Sequence, residues 1–201
     1  MQNTKLYKLA MEVSNILPNK FYLAGGTAVM FKYNHRKSVD LDFFADDFSF
    51  EYYIKKFKLY FKKRMKETQL NRGSDNIDFI IDGVKVSLVK FYFKNIKKKQ
   101  KIDKITSASD EDLILNKFYV ISRRAEAKDI FDIYFLLKEK NYSLNNIRKS
   151  FEKKFNISFD ESLKYLTRFK DYNLSKKYPT KEKQIQKCIL NWVKENKIIK
   201  S

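Results

Sequence analysis

The spacing of hydrophobic residues predicts a helix, a strand and a second helix at the beginning of the chain. Hydrophobic residues recur at helical spacing from Thr4 to Leu17, and Pro18 ends that pattern. A short apolar strand is predicted over 21–24, and a short, mostly apolar helix over 27–33. Two glycines lie between the strand and the helix, so we expect a tight strand–turn–helix unit here.

Two carboxylates separated by one residue mark the next hydrophobic stretch. Side chains alternate between the two faces of an extended strand, so Asp40 and Asp42 are predicted to project to the same side. Val39, Leu41 and Phe43 would then face the core. Neighbouring carboxylates repel each other unless a cation lies between them. Magnesium is the natural candidate, because it is bound by one or two carboxylates together with substrate phosphates.

The glycines ahead of this strand predict a phosphate site. Glycine lets the backbone approach a ligand closely, and the first turn of a helix offers N–H groups to an anion. Gly25, Gly26 and Thr27 are therefore candidate phosphate-binding residues. Arg36 is a further phosphate candidate, and Ser38 either joins the site or caps the strand. Alone, each motif is more often an ordinary turn or a solvated strand edge, but their ordered conjunction favours a nucleoside triphosphate site.

The middle of the chain predicts a basic helix and a β-hairpin. Residues 46–67 are typical of a helix with one apolar side and one lysine-rich side. The lysine-rich side is either a solvated face or a strip of phosphate contacts, which the interleaved aromatic residues favour. Alternation over 76–93, interrupted by Asp82-Gly83, predicts a hairpin beside the strand that carries the paired carboxylates. A basic connector follows over 94–104.

The second half of the chain is predicted to be helical. Ser109 and Asp112 form a capping box, and the helix that they begin continues to Ser122. Three further helices are predicted over 142–201, and the last of them follows Thr180.

A second group of charged residues lies in this helical half. On continuous helical geometry, Lys117, Arg124 and Lys128 share one face, and three clustered cations favour a bound anion such as a triphosphate. Asp129 and Asp132 follow at the start of an apolar helix. The alternative is a salt-bridged pair of helix faces, with Lys128 bonded to Asp132 four residues later.

The composition agrees with a polyanionic partner. The chain has 201 residues and a net charge of +19, from 43 Lys and Arg against 24 Asp and Glu. Such an excess favours RNA or DNA, although a composition rich in Lys, Asn, Ile and Phe also reflects coding bias. The single cysteine excludes an internal disulfide, and no run has the length of a membrane span or the layout of a signal peptide. We therefore expect a cytoplasmic protein with no membrane partner.

Two runs of the sequence resemble one known family. LAGGTA followed by HRKSVDLDFF resembles the first motif of the AbiEii/AbiGii toxin-type nucleotidyltransferases, a family similar to the polymerase-beta-like nucleotidyltransferase superfamily. DLILNKFYVISRRAEAKDIFDIYFLL is similar to the second signature, a Lys, an Arg seven residues later, then Lys-Asp-x-x-Asp. The third acidic residue that the superfamily often places on a following strand is missing here, and Asp78 is the available substitute.

The resemblance implies a role for each of these residues. Asp40 and Asp42 would hold catalytic Mg²⁺ or Mn²⁺, and Lys117 would hold the phosphates of the nucleoside triphosphate. Asp129 would complete the acidic cluster or activate the acceptor. Arg124 and Lys128 would assist at the phosphates, with Asp132 in support.

The resemblance also implies the architecture. We expect an α+β fold with a polymerase-beta-like nucleotidyltransferase core, in which a small mixed sheet is flanked by helices, over 1–105. A helical domain over 106–201 would follow and complete the active site.

The function implied is that of a magnesium-dependent nucleotidyltransferase. It would move a nucleoside monophosphate from a nucleoside triphosphate to RNA such as the tRNA 3′ end, as the toxin of a toxin–antitoxin or phage-defence system with a cognate antitoxin. One alternative is transfer to a protein or a small molecule. Another is a catalytically inactive nucleic-acid-binding module, against which the clustered carboxylates argue, because carboxylates repel a polyanion.

Overall fold

A mixed β-sheet organises the first half of the chain. The computed structural model describes residues 4–65, 71–72, 74–123 and 126–166, which divide into unit 1, Met1–Ser109, and unit 2, Asp110–Ser201. Across the described part of unit 1, the sheet has seven strands in the order β3-β4-β5-β2-β1-β7-β6. The strands are β1 Tyr22–Ala24, β2 Leu41–Ala45, β3 Asn71–Arg72, β4 Asn76–Ile81, β5 Val84–Lys90, β6 Gln100–Ile102 and β7 Ile105–Ser107. The helices of this unit are α1 Lys5–Ile16, α2 Gly25–Tyr33 and α3 Phe50–Phe61.

The two central strands have one antiparallel and one parallel neighbour each. β1 pairs with β2 antiparallel and with β7 parallel, and β2 pairs with β5 parallel. The remaining pairs, β3 with β4, β4 with β5 and β6 with β7, are antiparallel. The predicted α+β class with a mixed sheet and flanking helices is therefore confirmed.

One face of the sheet is apolar and carries the core of unit 1. Leu41 and Phe43 are buried on it, as the alternation predicts, and the Phe79 ring stacks on Phe57 of α3 with centroids 4.4 Å apart. The prediction for Val39 is wrong, because this side chain is 70 % exposed. Val39 precedes β2, where the backbone is not yet held in the strand and the alternation does not apply.

The hairpin predicted over 76–93 is confirmed. Asp82 and Gly83 have φ of +50° and +79°, as the two-residue turn that matches strand twist requires. The basic connector predicted over 94–104 is wrong in its second half, where β6 and β7 form another hairpin. These strands are three residues long, and the Gln and Lys residues of β6 are exposed, so no run of alternating hydrophobic residues marks them.

The helix at the N terminus follows its sequence signals. The Thr4 hydroxyl accepts a hydrogen bond from the Tyr7 N–H and caps α1, and the chain turns at Leu17, before Pro18. The second helix begins at Gly25, two residues earlier than predicted, and ends where Asn34 takes the left-handed conformation with φ of +52°.

Unit 2 is helical over its described residues. Its helices are α4 Asp110–Ile121, α5 Ala127–Glu139, α6 Leu144–Phe155 and α7 Phe159–Leu166. Aromatic rings fill its core, where Phe159 contacts Phe118 and Phe151 with centroids 4.7 Å and 5.1 Å away. No helix among the described residues combines the length and the apolar character needed to cross a bilayer. The helix predicted after Thr180 lies outside the described residues.

The continuous helix assumed from Lys117 to Lys128 is wrong. α4 ends at Ile121, where the Ser122 hydroxyl donates to the Tyr119 carbonyl and the Arg123 N–H donates to the Val120 carbonyl. These local bonds tighten the last turn and replace the helical pattern. Lys117 and Lys128 therefore lie on different helices, and Arg124 lies outside the described residues.

Candidate active site

The glycine turn lies directly against the second carboxylate. β1 and β2 pair so that Ala24 is opposite Asp42, which places Gly25 beside that side chain. A Cβ at Gly25 would lie 2.6 Å from Asp42 Oδ2, and Gly25 has φ of +67°. Both the close approach and the left-handed backbone require glycine here. The strand pairing thus brings together two motifs that are separate in sequence.

The Thr27 hydroxyl holds the segment that leads into β2. It lies 2.7 Å from Ser38 Oγ and within hydrogen-bonding distance of the Asp40 carbonyl. A carbonyl only accepts, so Thr27 donates to Asp40 and accepts from Ser38. Thr27 as a whole is 1 % exposed, so its hydroxyl serves to hold this segment in place.

Asp40 lies at the open end of this segment. Its side chain is half-buried, and its carboxylate makes no hydrogen bond or ion pair with any residue that the structure describes. Arg36 donates from its guanidinium to the Lys37 carbonyl at 3.0 Å, a bond within the loop. The structure therefore brings Gly25 against Asp42, and Thr27 against Ser38 and the Asp40 backbone.

Three polar side chains form a row across the sheet on the face opposite the core. Asp42 of β2 is opposite Ser87 of β5, and Ser87 is opposite Asp78 of β4. Directly opposed residues project to the same face, and neighbouring strands are about 4.8 Å apart, so Asp78 is about 10 Å from Asp42 along this row. Ser87 is buried between them.

Asp78 is already engaged by side chains of its own hairpin. Its carboxylate accepts from Asn76 Nδ2 at 3.0 Å and lies 3.1 Å from Lys85 Nζ. The position next to Asp42 in the row is occupied by Ser87, which is not acidic. Asp78, the available substitute for the third acidic residue, is therefore not in direct contact with Asp42.

The charged residues of unit 2 form a buried ion-pair cluster. Lys117 Nζ lies 2.6 Å from Asp129 Oδ1 and 2.7 Å from Asp132 Oδ2, and all three side chains are buried. Burial opposes the charged lysine, but attraction by Asp132 and Asp129 outweighs it and raises the pKa of Lys117. Lys117 therefore ties α4 to α5.

The alternative ion pair considered from the sequence is wrong in its partners. Lys128 Nζ lies 2.9 Å from Glu126 Oε2, whereas Asp132 is bonded to Lys117. Lys128 and Asp132 have the spacing of a helical ion pair, but the neighbouring helix α4 places the more deeply buried Lys117 at the same carboxylate.

A second buried lysine cluster was not predicted from the sequence. Lys154 Nζ of α6 donates to Asp112 Oδ1 at 2.7 Å and to Asn116 Oδ1 at 2.9 Å. Burial lowers the pKa of Lys154, and the nearby Asp112 carboxylate only partly opposes this. The available signal was the spacing of Asp112 and Asn116, four residues apart on one helix, but Asp112 is also the residue that a capping box requires.

The donor set fits a metal ion that arrives with its substrate. Asp40 and Asp42 supply oxygen ligands, which Mg²⁺ prefers, next to the backbone N–H groups that would bind phosphate. Among the described residues, no cluster of three or more His, Cys, Asp or Glu side chains is arranged to hold a metal. Two carboxylates suffice when substrate phosphates and water complete the coordination, as is usual for Mg²⁺.

Comparisons with known proteins agree with the first motif. The sequence model of the family described as nucleotidyl transferase AbiEii toxin, type IV toxin–antitoxin system, matches residues 10–102. The Aquifex aeolicus (strain VF5) protein aq_aa25 is 33% identical over 162 residues, which cover 76% of this chain and 75% of that protein.

Two solved structures share the fold. JHP933 from Helicobacter pylori has a TM-score of 0.53 at 18% identity, over 91% of this chain and 85% of that chain. A second H. pylori structure, of a protein for which a nucleotidyltransferase function has been suggested, has a TM-score of 0.55 at 18% identity, over 91% of this chain and 88% of that chain. These likenesses confirm the expected nucleotidyltransferase fold.

Proposed function

Because the chain belongs to the AbiEii nucleotidyltransferase toxin family, we propose that it moves a nucleoside monophosphate from a nucleoside triphosphate to RNA. The contact between Gly25 and the Asp42 carboxylate carries this proposal, because it joins a phosphate-binding turn to a metal-binding side chain. The net charge of +19 supports a polyanionic acceptor, for which the tRNA 3′ end is our candidate.

In this proposal, unit 1 binds and orients the triphosphate. Backbone N–H groups of Gly25, Gly26 and Thr27 bind phosphate oxygens, and Asp40 and Asp42 hold Mg²⁺ or Mn²⁺. When bound, the metal supplies positive charge that stabilises the transition state at the α-phosphorus. Thr27 acts through Asp40, since its hydroxyl fixes the Asp40 carbonyl and with it the direction of the carboxylate.

The reaction is a substitution at phosphorus. The acceptor hydroxyl loses its proton to water, its oxygen forms a bond to the α-phosphorus, and the bond from that phosphorus to the pyrophosphate oxygen breaks, so that pyrophosphate leaves. The protein contributes mainly by positioning the reactants and stabilising charge. Arg36 and Ser38 are proposed at the phosphates, on the loop that precedes β2.

The residues of unit 2 enter the proposal through the family signature. Lys117 and Asp129 are proposed to act in catalysis, with Arg124 and Lys128 at the phosphates and Asp132 in support. The buried ion pairs give Lys117 and both aspartates a structural role as well, so their replacement tests stability and activity together. We also propose a cognate antitoxin as partner and a cytoplasmic location, because a single cysteine excludes an internal disulfide.

Nucleotide transfer is tested directly with labelled substrate. The purified protein is incubated with Mg²⁺, total RNA and each α-labelled nucleoside triphosphate in turn. We expect label on RNA with at least one nucleotide, and a loss of about 100-fold or more in Asp40→Ala and Asp42→Ala. Asp46→Ala is the matched control, since it removes an exposed carboxylate just after β2.

Three results would contradict the proposal or part of it. If no acceptor is labelled with any nucleotide, the proposed activity is wrong. If Asp40→Ala transfers as much label as the parent, the proposed site is wrong. Label that appears on protein instead of RNA overturns the acceptor but keeps the reaction.

A further inference from the structure

The outer face of α3 combines exposed aromatic rings with lysines. We use this name for Tyr52, Lys55, Lys56, Leu59 and Tyr60, which lie on one side of the helix at spacings of three, four, seven and eight residues. Tyr52 is 56 % exposed, Leu59 80 % and Tyr60 55 %, whereas the opposite side of α3 is buried in unit 1. Exposed tyrosines and leucine on a well-formed helix need an explanation other than core packing.

The two exposed rings are held in place by buried neighbours. The Tyr52 ring packs edge-on against Tyr53 with centroids 5.0 Å apart, and Tyr60 packs against Phe61 at 4.9 Å. Tyr53 and Phe61 are themselves buried. The rings are thus anchored at one edge to the core, which lowers the entropy lost when a flat ligand stacks on them.

The cations of this helix and its end are not neutralised by nearby acids. Residues 52–65 contain no Asp or Glu. Lys55, Lys56 and the two lysines that follow the helix, Lys62 and Lys63, form no ion pair with any residue in the described part of the chain. Arg64 shows the contrast, because its guanidinium is shared by two carboxylates of unit 1. Among the described residues no carboxylate balances these lysines, so the outer face of α3 presents positive charge to an external anion.

We propose that the outer face of α3 binds single-stranded RNA, with bases stacked on Tyr52 and Tyr60 and phosphates at the lysines. Aromatic platforms beside cations are how proteins hold unpaired nucleotides. A duplex hides the faces of its bases, so stacking selects single strands or unpaired ends. This inference takes RNA as the ligand from the proposed function. It adds which surface of the protein binds the RNA and that the bound RNA is single-stranded.

A membrane surface is a weaker fit to the same residues. An interfacial helix buries a broad apolar stripe, whereas this face has one aliphatic side chain, Leu59, between two tyrosines. Binding to vesicles is nevertheless measured as an outcome of the test.

Binding is measured by fluorescence anisotropy with a labelled, unstructured RNA oligonucleotide, alone and annealed to its complement. We expect the parent to bind the single strand at least several-fold more tightly than the duplex. Tyr52→Ala/Tyr60→Ala should weaken single-strand binding about tenfold or more. Tyr92→Ala is the control, since this tyrosine is equally exposed, at 62 %, but lies after β5.

A charge-matched pair separates local binding from the effect of overall charge. Lys55→Glu/Lys56→Glu should weaken binding and lower the slope of log affinity against log salt by about 0.7 for each RNA phosphate that is no longer neutralised. Lys98→Glu/Lys104→Glu changes the net charge equally at other exposed lysines, and should change affinity little.

Four results would overturn the inference. The first two are equal losses of affinity in the two lysine-pair variants and equal binding of duplex and single strand. The third is undiminished RNA binding by the tyrosine variant. The fourth is weaker binding of the tyrosine and Lys55/Lys56 variants to phosphatidylglycerol vesicles while their RNA binding is unchanged. If the parent binds single strands through this face but transfers no nucleotide, the proposed function fails and the inference stands. If transfer to RNA occurs and the variants bind as the parent does, the inference alone fails.

Discussion

At the scale of single residues, Gly25 shows how one missing methyl group leaves room for the Asp42 carboxylate. Alanine at Gly25 has to adopt φ of +67°, which costs about 1–2 kcal/mol, and its Cβ would displace Asp42 Oδ2. The carboxylate is the end of a rotatable side chain, so it can move aside with little further loss of stability. Gly25→Ala is therefore expected to lose most of its activity while losing only about 1–2 kcal/mol in the free energy of unfolding.

Gly83→Ala is the matched control for this substitution. Gly83 has φ of +79°, and a Cβ added there would meet nothing within 4 Å, so only the backbone cost applies. Urea unfolding should give similar losses for the two variants, and nucleotide transfer should fall only in Gly25→Ala. Equal activity of the two variants would show that the position of Asp42 does not depend on Gly25.

Tyr7 is expected to make the stability of the folded state fall at alkaline pH. Burial, together with the hydrogen bond to Asp103 and its negative charge, raises the pKa of Tyr7 from 10.0 to about 12. The folded state thus favours the neutral phenol, so this contribution is complete below about pH 10 and is lost as pH rises toward 12. The midpoint of urea unfolding should fall more steeply over that range in the parent than in Tyr7→Phe, which cannot titrate. Parallel curves would contradict this.

At the scale of elements, α4 is tied to its neighbours by two buried lysines of different character. Lys117 bonds to two aspartates of α5, and Lys154 of α6 bonds to Asp112 and Asn116. Removing one member of a buried ion pair costs about 3–5 kcal/mol, because a charge stays in a low-dielectric interior. Lys117→Met leaves two carboxylates in that interior, whereas Lys154→Met leaves one.

We therefore expect Lys117→Met to be the less stable of these two variants. The opposite directions of the pKa shifts agree with this, since burial lowers the pKa of Lys154, while the aspartates raise that of Lys117 despite burial. Unfolding in urea, followed by circular dichroism, compares the two directly. A Lys117→Met protein as stable as the parent would show that the cluster is dispensable to the helices.

The elements also show what sequence can and cannot predict. The hairpin around Asp82 and Gly83 was predictable, because alternation and turn chemistry are local signals. The contact between Gly25 and Asp42 was not, since it depends on which strands pair and in which register. The break between α4 and α5 is hidden in the sequence because the charged residues keep helical spacing across it. Lys154 looks like a solvent-exposed lysine in the sequence, because its partners lie on another helix, α4.

At the scale of the whole molecule, the excess of positive charge should make stability depend on salt. A net charge of +19 on 201 residues repels itself in the folded state more than in the expanded chain. Screening shortens the Debye length from about 10 Å at 0.1 M to about 3 Å at 1 M salt. We therefore expect sodium chloride to raise the melting temperature over this range. Sucrose at equal osmolality is the control, and a melting temperature that falls with salt would contradict the expectation.

The parallel pairing of β1 with β7 has a consequence for synthesis of the chain. Leu23 lies in a central strand, yet its partner Ser107 is almost the last residue of unit 1, and the Ala108 N–H completes the pairing at the Leu23 carbonyl. A ribosome that has released only the first hundred residues has therefore exposed a central strand with one open edge. Open edges recruit other chains. The nascent protein is expected to need protection by chaperones until Ala108 has emerged from the ribosome.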